Sequence, residues 1–303
     1  MIYTVTINPA VDYTIKLKEL VPNTINRSIE DQYKLGGKGI NVSLVLHNLG
    51  IENTALGFVG GFSGDFIVKR MDEIGIKNDF IRLESGISRI NVKVKAGTET
   101  DINGIGPDIP KESVQKLINQ VKEIKKGGYL VLAGNVPKSL GDNVYSDILE
   151  GIKDKEVRVV IDTTKSFLAN SLKHKPFLVK PNKEELCDFF NKELYSDTEI
   201  ITHAKQMQEM GAQNVLVSLG DEGAILVTDK DEVFCKNAPK GKAVNTVGAG
   251  DSMAAGFIAG YIEKQDYEYA LKYGLAAGSA SAFSENFASY EEIQNFLVND
   301  SWF

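Results

Sequence analysis

The stretch KESVQKLINQVKEIKKGGYLVLA, Lys111–Ala133, decides the fold. Its first part sets Val114, Leu117, Ile118, Val121 and Ile124 at helical spacing, so Lys111–Lys125 reads as an amphipathic helix. Gly127-Gly128 breaks that pattern. Tyr129–Ala133 then follows as a short unbroken apolar run, the pattern of a strand buried on both faces. A helix feeding such a strand is half of a βαβ unit.

The same alternation extends in both directions. Ile2–Ile7 reads as a buried strand, and Lys38–Leu49 carries Val42, Val45, Leu46 and Leu49 on one helical face before Gly50 ends it. Further strands fall at Val157–Asp162, Phe177–Lys180 and Asn214–Leu219, among helical stretches at Lys183–Phe190 and Thr198–Met210. This order predicts an α/β fold, a parallel sheet covered by helices. Two regions break the rhythm: Val11–Lys34 and Ser88–Gly104 alternate like strands with no helix between, as in Asn91-Val92-Lys93-Val94-Lys95, and are expected to pair as a small separate sheet. The second unit is then discontinuous, built from two excursions of one core. From Gly248 to Phe283 the chain turns helical and rich in small residues, which permits close helix packing.

With 303 residues, 43% hydrophobic and 25% charged, the chain can bury a full core, and disorder, collagen and coiled coil are excluded. Lys plus Arg total 34 against 41 for Asp plus Glu, a net charge of -7, so there is no pervasive basic field for a nucleic-acid backbone. An anionic ligand must be met by local cations. No apolar run approaches the roughly 18 residues of a membrane span, and Met1–Ala10 lacks the features of a signal peptide, so a cytoplasmic protein without a membrane partner is expected. Cys187 and Cys235 lie 48 positions apart, and His47, His174 and His203 are scattered, which disfavours a disulfide framework, a zinc site and histidine catalysis.

Neither common phosphate loop is present. No G-x-x-x-x-G-K-[ST] occurs, and the first strand leads into Asn8-Pro9-Ala10 instead of G-x-G-x-x-G, which excludes a Walker NTPase and disfavours a Rossmann oxidoreductase. Three other segments carry chemistry. Asn245-Thr246-Val247-Gly248-Ala249-Gly250-Asp251-Ser252 precedes an apolar helix over Met253–Ile262, so its glycine turn offers backbone N–H groups to an anion. Asp251 there either caps the helix or takes a proton from an attacking hydroxyl. Gly36-Gly37-Lys38-Gly39-Ile40-Asn41 opens another helix with one cation and one amide, either a sugar-type site or turn glycines beside a solvated lysine. In Lys180-Pro181-Asn182-Lys183-Glu184-Glu185, Asn182 and Glu185 are three apart, suited to a helix cap with its reciprocal Glu or to a sparse, water-mediated Mg2+ site.

Together, Thr6-Ile7-Asn8-Pro9-Ala10-Val11-Asp12, Gly36–Val42, Lys180-Pro181-Asn182-x-x-Glu185 and Thr246–Ser252 resemble the ribokinase-like (PfkB) carbohydrate kinases, in order along nearly the whole chain. The resemblance implies a three-layer αβα core of residues 1–8, 36–84 and 106–303, with a small β-sheet lid from 9–35 and 85–105 that often mediates homodimers. It implies ATP and Mg2+ as cofactors and a sugar phosphate as the small-molecule partner. By motif, Asp251 is the base and Gly248, Ala249 and Gly250 form the anion hole. Asp12, Gly36, Gly37, Lys38, Asn41 and Asn91 line the sugar site, while Arg27, Lys38 and Arg89 clamp its phosphate. Lys180, Asn182, Ser218, Gly220, Gly223 and Thr246 fall in the nucleotide region and Glu185 at the metal. Asn135 stands in Ala133-Gly134-Asn135-Val136-Pro137 where the family pattern has Ser-Gly-Ser-x-Pro, so only proximity to substrate carries over, and Ser88 replaces an expected Thr. Arg89–Lys93 and Thr100–Asn103 point to the branch that phosphorylates fructose 1-phosphate at its 6-hydroxyl. The alternatives are tagatose 6-phosphate as substrate and a sugar-phosphate-binding regulator without turnover.

Overall fold

The computed structural model describes residues 1–299 and 302–303. The chain runs β1 (Ile2–Thr6), β2 (Ala10–Lys16), β3 (Glu30–Gly36), α1 (Lys38–Asn48), β4 (Asn53–Gly60), α2 (Gly61–Ile74), β5 (Lys77–Asn78), β6 (Ile81–Leu83), β7 (Arg89–Ala96), β8 (Thr98–Asn103), α3 (Lys111–Lys122) and β9 (Tyr129–Ala133). It continues α4 (Val144–Glu150), β10 (Arg158–Asp162), α5 (Lys165–Leu172), β11 (Leu178–Val179), α6 (Lys183–Phe190), α7 (Asp197–Glu209), β12 (Asn214–Ser218), β13 (Ala224–Val227), β14 (Val233–Lys236), α8 (Ala249–Lys264), α9 (Tyr267–Ala282) and α10 (Tyr290–Val298).

The main sheet has the order β14-β13-β12-β11-β10-β9-β1-β4-β5, with β6 also on β4. From β12 across to β5 the pairs are parallel, and β13 and β14 extend the sheet antiparallel. Alternation along each strand divides the core in two. Leu130, Leu132, Val159 and Ile161 join Leu117, Val121 and Tyr145 on one side. Tyr129, Val131 and Val160 join Val42, Val45, Phe257 and Leu271 on the other. Both faces are therefore covered, which is why these strands read as continuous apolar runs. The result is the expected three-layer α/β architecture.

On the second side α8 and α9 pack closely through their small residues. A Cβ added at Gly256 would lie 2.7 Å from both the Ala277 Cβ and the Tyr273 carbonyl oxygen, and one at Gly274 2.9 Å from the Met253 carbonyl oxygen. Any side chain there forces the helices apart.

Strands β3, β2, β7 and β8 form a second sheet in that order. Its two faces differ sharply. Asp12 pairs with Lys34 and Asn91, and Thr14 with Gln32 and Lys93, giving a polar face. The other face carries Val11, Leu35 and Ile90, and then Tyr13, Tyr33 and Val92. Val11 is buried beside Ile40, Val59 and Ile67, so this end of the sheet is anchored on the core.

Most boundaries shift by a residue or so from the sequence reading, α3 stops at Lys122 instead of Lys125, and two further differences bear on the site. The strand expected over Phe177–Lys180 keeps only Leu178–Val179, and the helix expected from Met253 begins at Ala249. The early start of α8 has a local cause: Gly248 takes φ 81°, and the Asn245 side chain accepts from the Val247 N–H at 3.1 Å. The turn is complete before the apolar periodicity starts, so Asp251 lies inside the first helical turn.

Candidate active site

The site forms where β1, β9, β10 and β11 end, because parallel strands expose their carboxyl ends to the loops that follow. Gly37 holds φ 119° with Thr6 2.7 Å from where a Cβ would sit, so α1 starts tight against the end of β1. Lys38 then reaches Asp162, at the end of β10, with its Nζ 2.7 Å from Oδ1. Lys180, just after β11, places its Nζ 2.9 Å from Oδ2 of the same carboxylate. Asp162 and Lys180 are both buried. Burial alone raises the pKa of Asp162, but the two ammonium groups reverse the effect and hold it down to about 2. Burial likewise works against the charge of Lys38, and Asp162 and Glu185 more than compensate, lifting its pKa above the ordinary lysine value.

Beside this triad stands Asp251, 5% exposed. Its Oδ2 accepts a hydrogen bond from Asn41 Nδ2 at 2.7 Å, and no side chain caps α8. The capping alternative is therefore not what the side chain does. Burial, followed by the negative charge of Asp162, pushes the pKa of Asp251 up to about 7, against Lys38, the Asn41 amide and Lys180. Gly248 must be glycine, since its φ is positive and a Cβ would meet the Phe287 ring at 2.4 Å. A Cβ on Gly250 would lie 3.3 Å from Lys180 Nζ, so the first turn of α8 and this ammonium face the same space. Ala249 sits between them as the first residue of the helix.

On the other flank the Asp12 carboxylate takes the space a Cβ on Gly36 would need, at 2.6 Å, and accepts from Asn91 Nδ2 at 2.7 Å. Lys93 Nζ lies 3.9 Å from its second oxygen. Arg89 is half-buried, and burial pulls its pKa below the ordinary value against the attraction of Asp12. Arg89 Nε and Asn91 Oδ1 are buried with no hydrogen-bond partner, two polar atoms that suit a ligand. A cavity of about 640 Å³ opens between the second sheet and the core, with Asp12, Lys93, Asn41 and Val247 among its walls.

The predicted nucleotide residues are more dispersed. Asn182 accepts from the Glu185 N–H at 2.7 Å while Glu185 Oε2 accepts from the Asn182 N–H at 2.9 Å, a complete capping box. Glu185 Oε1 remains 3.7 Å from Lys38. Ser218 sits beside this pair through a parallel bridge to Asn182. Gly220 and Gly223 turn the chain into β13, and Gly223 is fixed by Lys236, whose carbonyl oxygen lies 2.0 Å from any added Cβ. Thr246 and Asn135 are exposed on the loops before α8 and after β9. Arg27 stands apart, exposed in the loop beyond the Lys16–Glu30 end of the second sheet. Among the described residues no three His, Cys, Asp or Glu side chains gather as a metal cage. A lone carboxylate such as Glu185 nevertheless suits Mg2+, which keeps most of its waters and takes phosphate oxygens.

The motifs missed Asp162 altogether. Its only signal was position: a carboxylate closing the apolar run Val159-Val160-Ile161 at the end of a buried strand.

A buried carboxylate held near neutral pH, a helix N-terminus and a fixed pair of ammonium groups gather at the strand ends of an αβα fold, an arrangement suited to phosphoryl transfer to an alcohol. The family comparison is specific. The chain belongs to the pfkB family of carbohydrate kinases, whose model matches residues 5–292. It is 42% identical over 298 residues to a 1-phosphofructokinase of Borreliella burgdorferi, covering 98% of this chain and 96% of the relative. It is 38% identical to a D-tagatose-1-phosphate kinase of Bacillus licheniformis, covering 97% and 96%. Phosphofructokinase-2 from Escherichia coli, solved in complex with fructose-6-phosphate, superposes with a TM-score of 0.91 at 26% identity, covering 98% of each chain.

We expect Asp162→Asn to destabilise the fold by about 3–5 kcal/mol, because it leaves a buried ammonium without its counter-charge. The pKa of Asp162 is lower folded than unfolded, so its contribution is present above the ordinary carboxylate pKa of about 4 and is lost as pH falls toward about 2. Denaturant titrations should show stability falling more steeply through that window in wild type than in the variant, whose remaining slope comes from other carboxylates such as Glu199 and Glu292. Equal stability at neutral pH would mean that Lys180 does not depend on Asp162.

Proposed function

We propose that this chain is an ATP-dependent kinase that transfers the γ-phosphoryl group to the 6-hydroxyl of fructose 1-phosphate, giving fructose 1,6-bisphosphate. The observation that carries this reading is Asp251: buried, uncapped, tied to Asn41 and poised near neutral pH at the open end of α8. Its carboxylate takes the proton of the 6-hydroxyl as that oxygen attacks the γ-phosphorus, and the bond to the ADP oxygen breaks. The first-turn N–H of Gly250, with Lys180, balances charge on the transferred group, while the Ala249 N–H donates to the Thr246 carbonyl oxygen at 3.2 Å and must exchange that bond to take part. Lys180, Asn182, Ser218, Gly220, Gly223 and Thr246 form the nucleotide side. Glu185 would hold Mg2+, which when bound neutralises phosphate charge. The sugar lies along Asp12, Gly36, Gly37, Asn41 and Asn91, with Arg89 at its phosphate and Asn135 nearby. A phosphate at C1 is favoured by the names of the two sequence relatives, both of which specify a 1-phosphate or 1-phosphofructokinase chemistry.

We place the enzyme in the cytoplasm, where ATP and sugar phosphates occur together. No described helix is long and apolar enough to cross a membrane. The second sheet acts as a lid over the sugar and as a homodimer contact. Its far end is supported as an interface by Tyr33, 57% exposed, and Ile102, 60% exposed, on the apolar face beyond the part anchored on the core, with exposed Ile25 and Ile29 on the adjoining loop. Arg27 lies in that loop, so its action on a phosphate depends on lid movement or on the second copy.

Asp251→Asn should keep the fold and lose on the order of a hundredfold or more in turnover. Because Asp251 must be ionised, kcat/KM of the wild type should fall as pH drops below about 7, and Asn41→Ala should move that limb to higher pH by removing a hydrogen bond to the charged form. A turnover unaffected by Asp251→Asn at saturating substrates would leave it a structural residue.

Four sugars with one preparation, fructose 1-phosphate, tagatose 1-phosphate, tagatose 6-phosphate and fructose 6-phosphate, should give the highest kcat/KM for the first. Stereochemical mismatch at a buried polar group should separate the others by roughly tenfold to a hundredfold. A tenfold preference for either tagatose ester would overturn the substrate and leave the kinase. Ligand uptake without ADP release would indicate a regulator.

Sedimentation at micromolar concentration should show a dimer. A monomer there would remove the role of the lid as an interface.

A further inference from the structure

Three cations are expected to clamp the phosphate of the sugar, and the structure leaves one of them near Asp12, whose side chain lines the cavity. Lys38 is held by Asp162 and Glu185 at the opposite end of the site. Arg27 is exposed on the far loop, which leaves Arg89. A doubly charged phosphate next to the Asp12 carboxylate needs more than one positive charge.

We propose that Lys93 supplies it: a specificity-determining residue that selects phosphorylated over unphosphorylated sugars, an inference that rests on the kinase reading above. Alternate residues of β7 face the cavity side, so Asn91 and Lys93 stand beside Asp12 and Thr14 on β2. Lys93 lines the cavity with Asp12 and Asn41, and its side chain is only 14% exposed. Its ammonium lies 3.9 Å from Asp12 Oδ2, close enough to cancel the repulsion between that carboxylate and a phosphate, yet too far for a committed hydrogen bond. An ammonium carries three donors on a flexible stem, so it can serve Asp12 and phosphate oxygens together.

The neighbouring lysines are engaged elsewhere. Lys34 donates to the Glu285 carbonyl oxygen at 3.0 Å and to Asn286 Oδ1 at 2.9 Å. Lys16 pairs with Glu30 and Lys95 with Glu99 at the exposed end of the sheet. The unpartnered Arg89 Nε and Asn91 Oδ1 mark the same strand as the place where ligand atoms complete the polar contacts.

The test compares wild type, Lys93→Gln and Lys93→Arg. In Lys93→Gln, KM for fructose 1-phosphate should rise on the order of tenfold to a hundredfold, the loss of a hydrogen bond to a charged group, while kcat falls far less and KM for ATP holds. KM for unphosphorylated fructose should not rise, and Lys93→Arg should restore most of the affinity for the ester. Increasing salt should weaken fructose 1-phosphate binding more in wild type than in Lys93→Gln. An unchanged KM for the ester, or an equal rise for fructose and its phosphate, would show that Lys93 merely holds Asp12. Calorimetric titration of fructose 1-phosphate keeps the two readings separate. If wild type phosphorylates no sugar ester, the kinase reading falls, while weaker binding by Lys93→Gln still supports this role and equal binding overturns it.

Discussion

The structure turns on one carboxylate. Asp162 is buried and holds Lys38 from the start of α1 and Lys180 from the end of β11, so two distant segments are locked to one point at the end of β10. Three separate charges in that position would be prohibitive to desolvate. Joined, they carry one net positive charge, fixed in place before any ligand arrives. Preorganised charge of this kind needs no rearrangement when a phosphoryl group is transferred, which is where such sites gain their rate.

Close backbone approach does the rest of the positioning. Gly37 brings α1 against Thr6, and Gly248 lets α8 begin against Phe287, so two helix N-termini converge on the strand ends. Phe287 belongs to the segment whose neighbours Glu285 and Asn286 receive Lys34 from β3. Asn48 of α1 donates to the Ala288 carbonyl oxygen at 3.0 Å. The second sheet, α1 and the start of α8 thus meet at a single loop, which gives a physical route by which the position of that sheet bears on the N-terminal turn of α8.

Much of this was legible in the residues. Buried strands such as Tyr129–Ala133 announce themselves as apolar runs because both faces are covered, and the helix-free alternation of Asn91–Lys95 reflects a sheet with one polar and one apolar face. The Asn182–Glu185 spacing left a cap and a ligand as alternatives, and the capping box is formed, with Glu185 Oε1 still free to face Lys38. The start of α8 was misplaced because apolar periodicity begins only after a polar first turn. Asp162 was invisible for a different reason. Its partners are 124 and 18 residues away in sequence, and no spacing rule joins a strand end to a helix start across a sheet. The sequence places Lys93 in a strand and in the branch-marking stretch Arg89–Lys93 without a role of its own, and the register with Thr14 and the commitments of its neighbours are what single it out.

Asp162 also sets the chemistry of its neighbour. A carboxylate between two ammonium groups should make the site favourable for a second anion, yet Asp251 is pushed up to about 7, with burial the largest cause and the Asp162 charge next. The lysines and the Asn41 amide pull the other way, and the balance leaves the second carboxylate near its midpoint at neutral pH. A base held far lower would be ionised but too weak to take a proton from a sugar hydroxyl, and one held far higher would already be protonated. The same buried charge that fixes the lysines therefore contributes to the raised pKa of Asp251, so the anchoring of the lysines and the near-neutral titration of a second carboxylate are two consequences of where β10 ends.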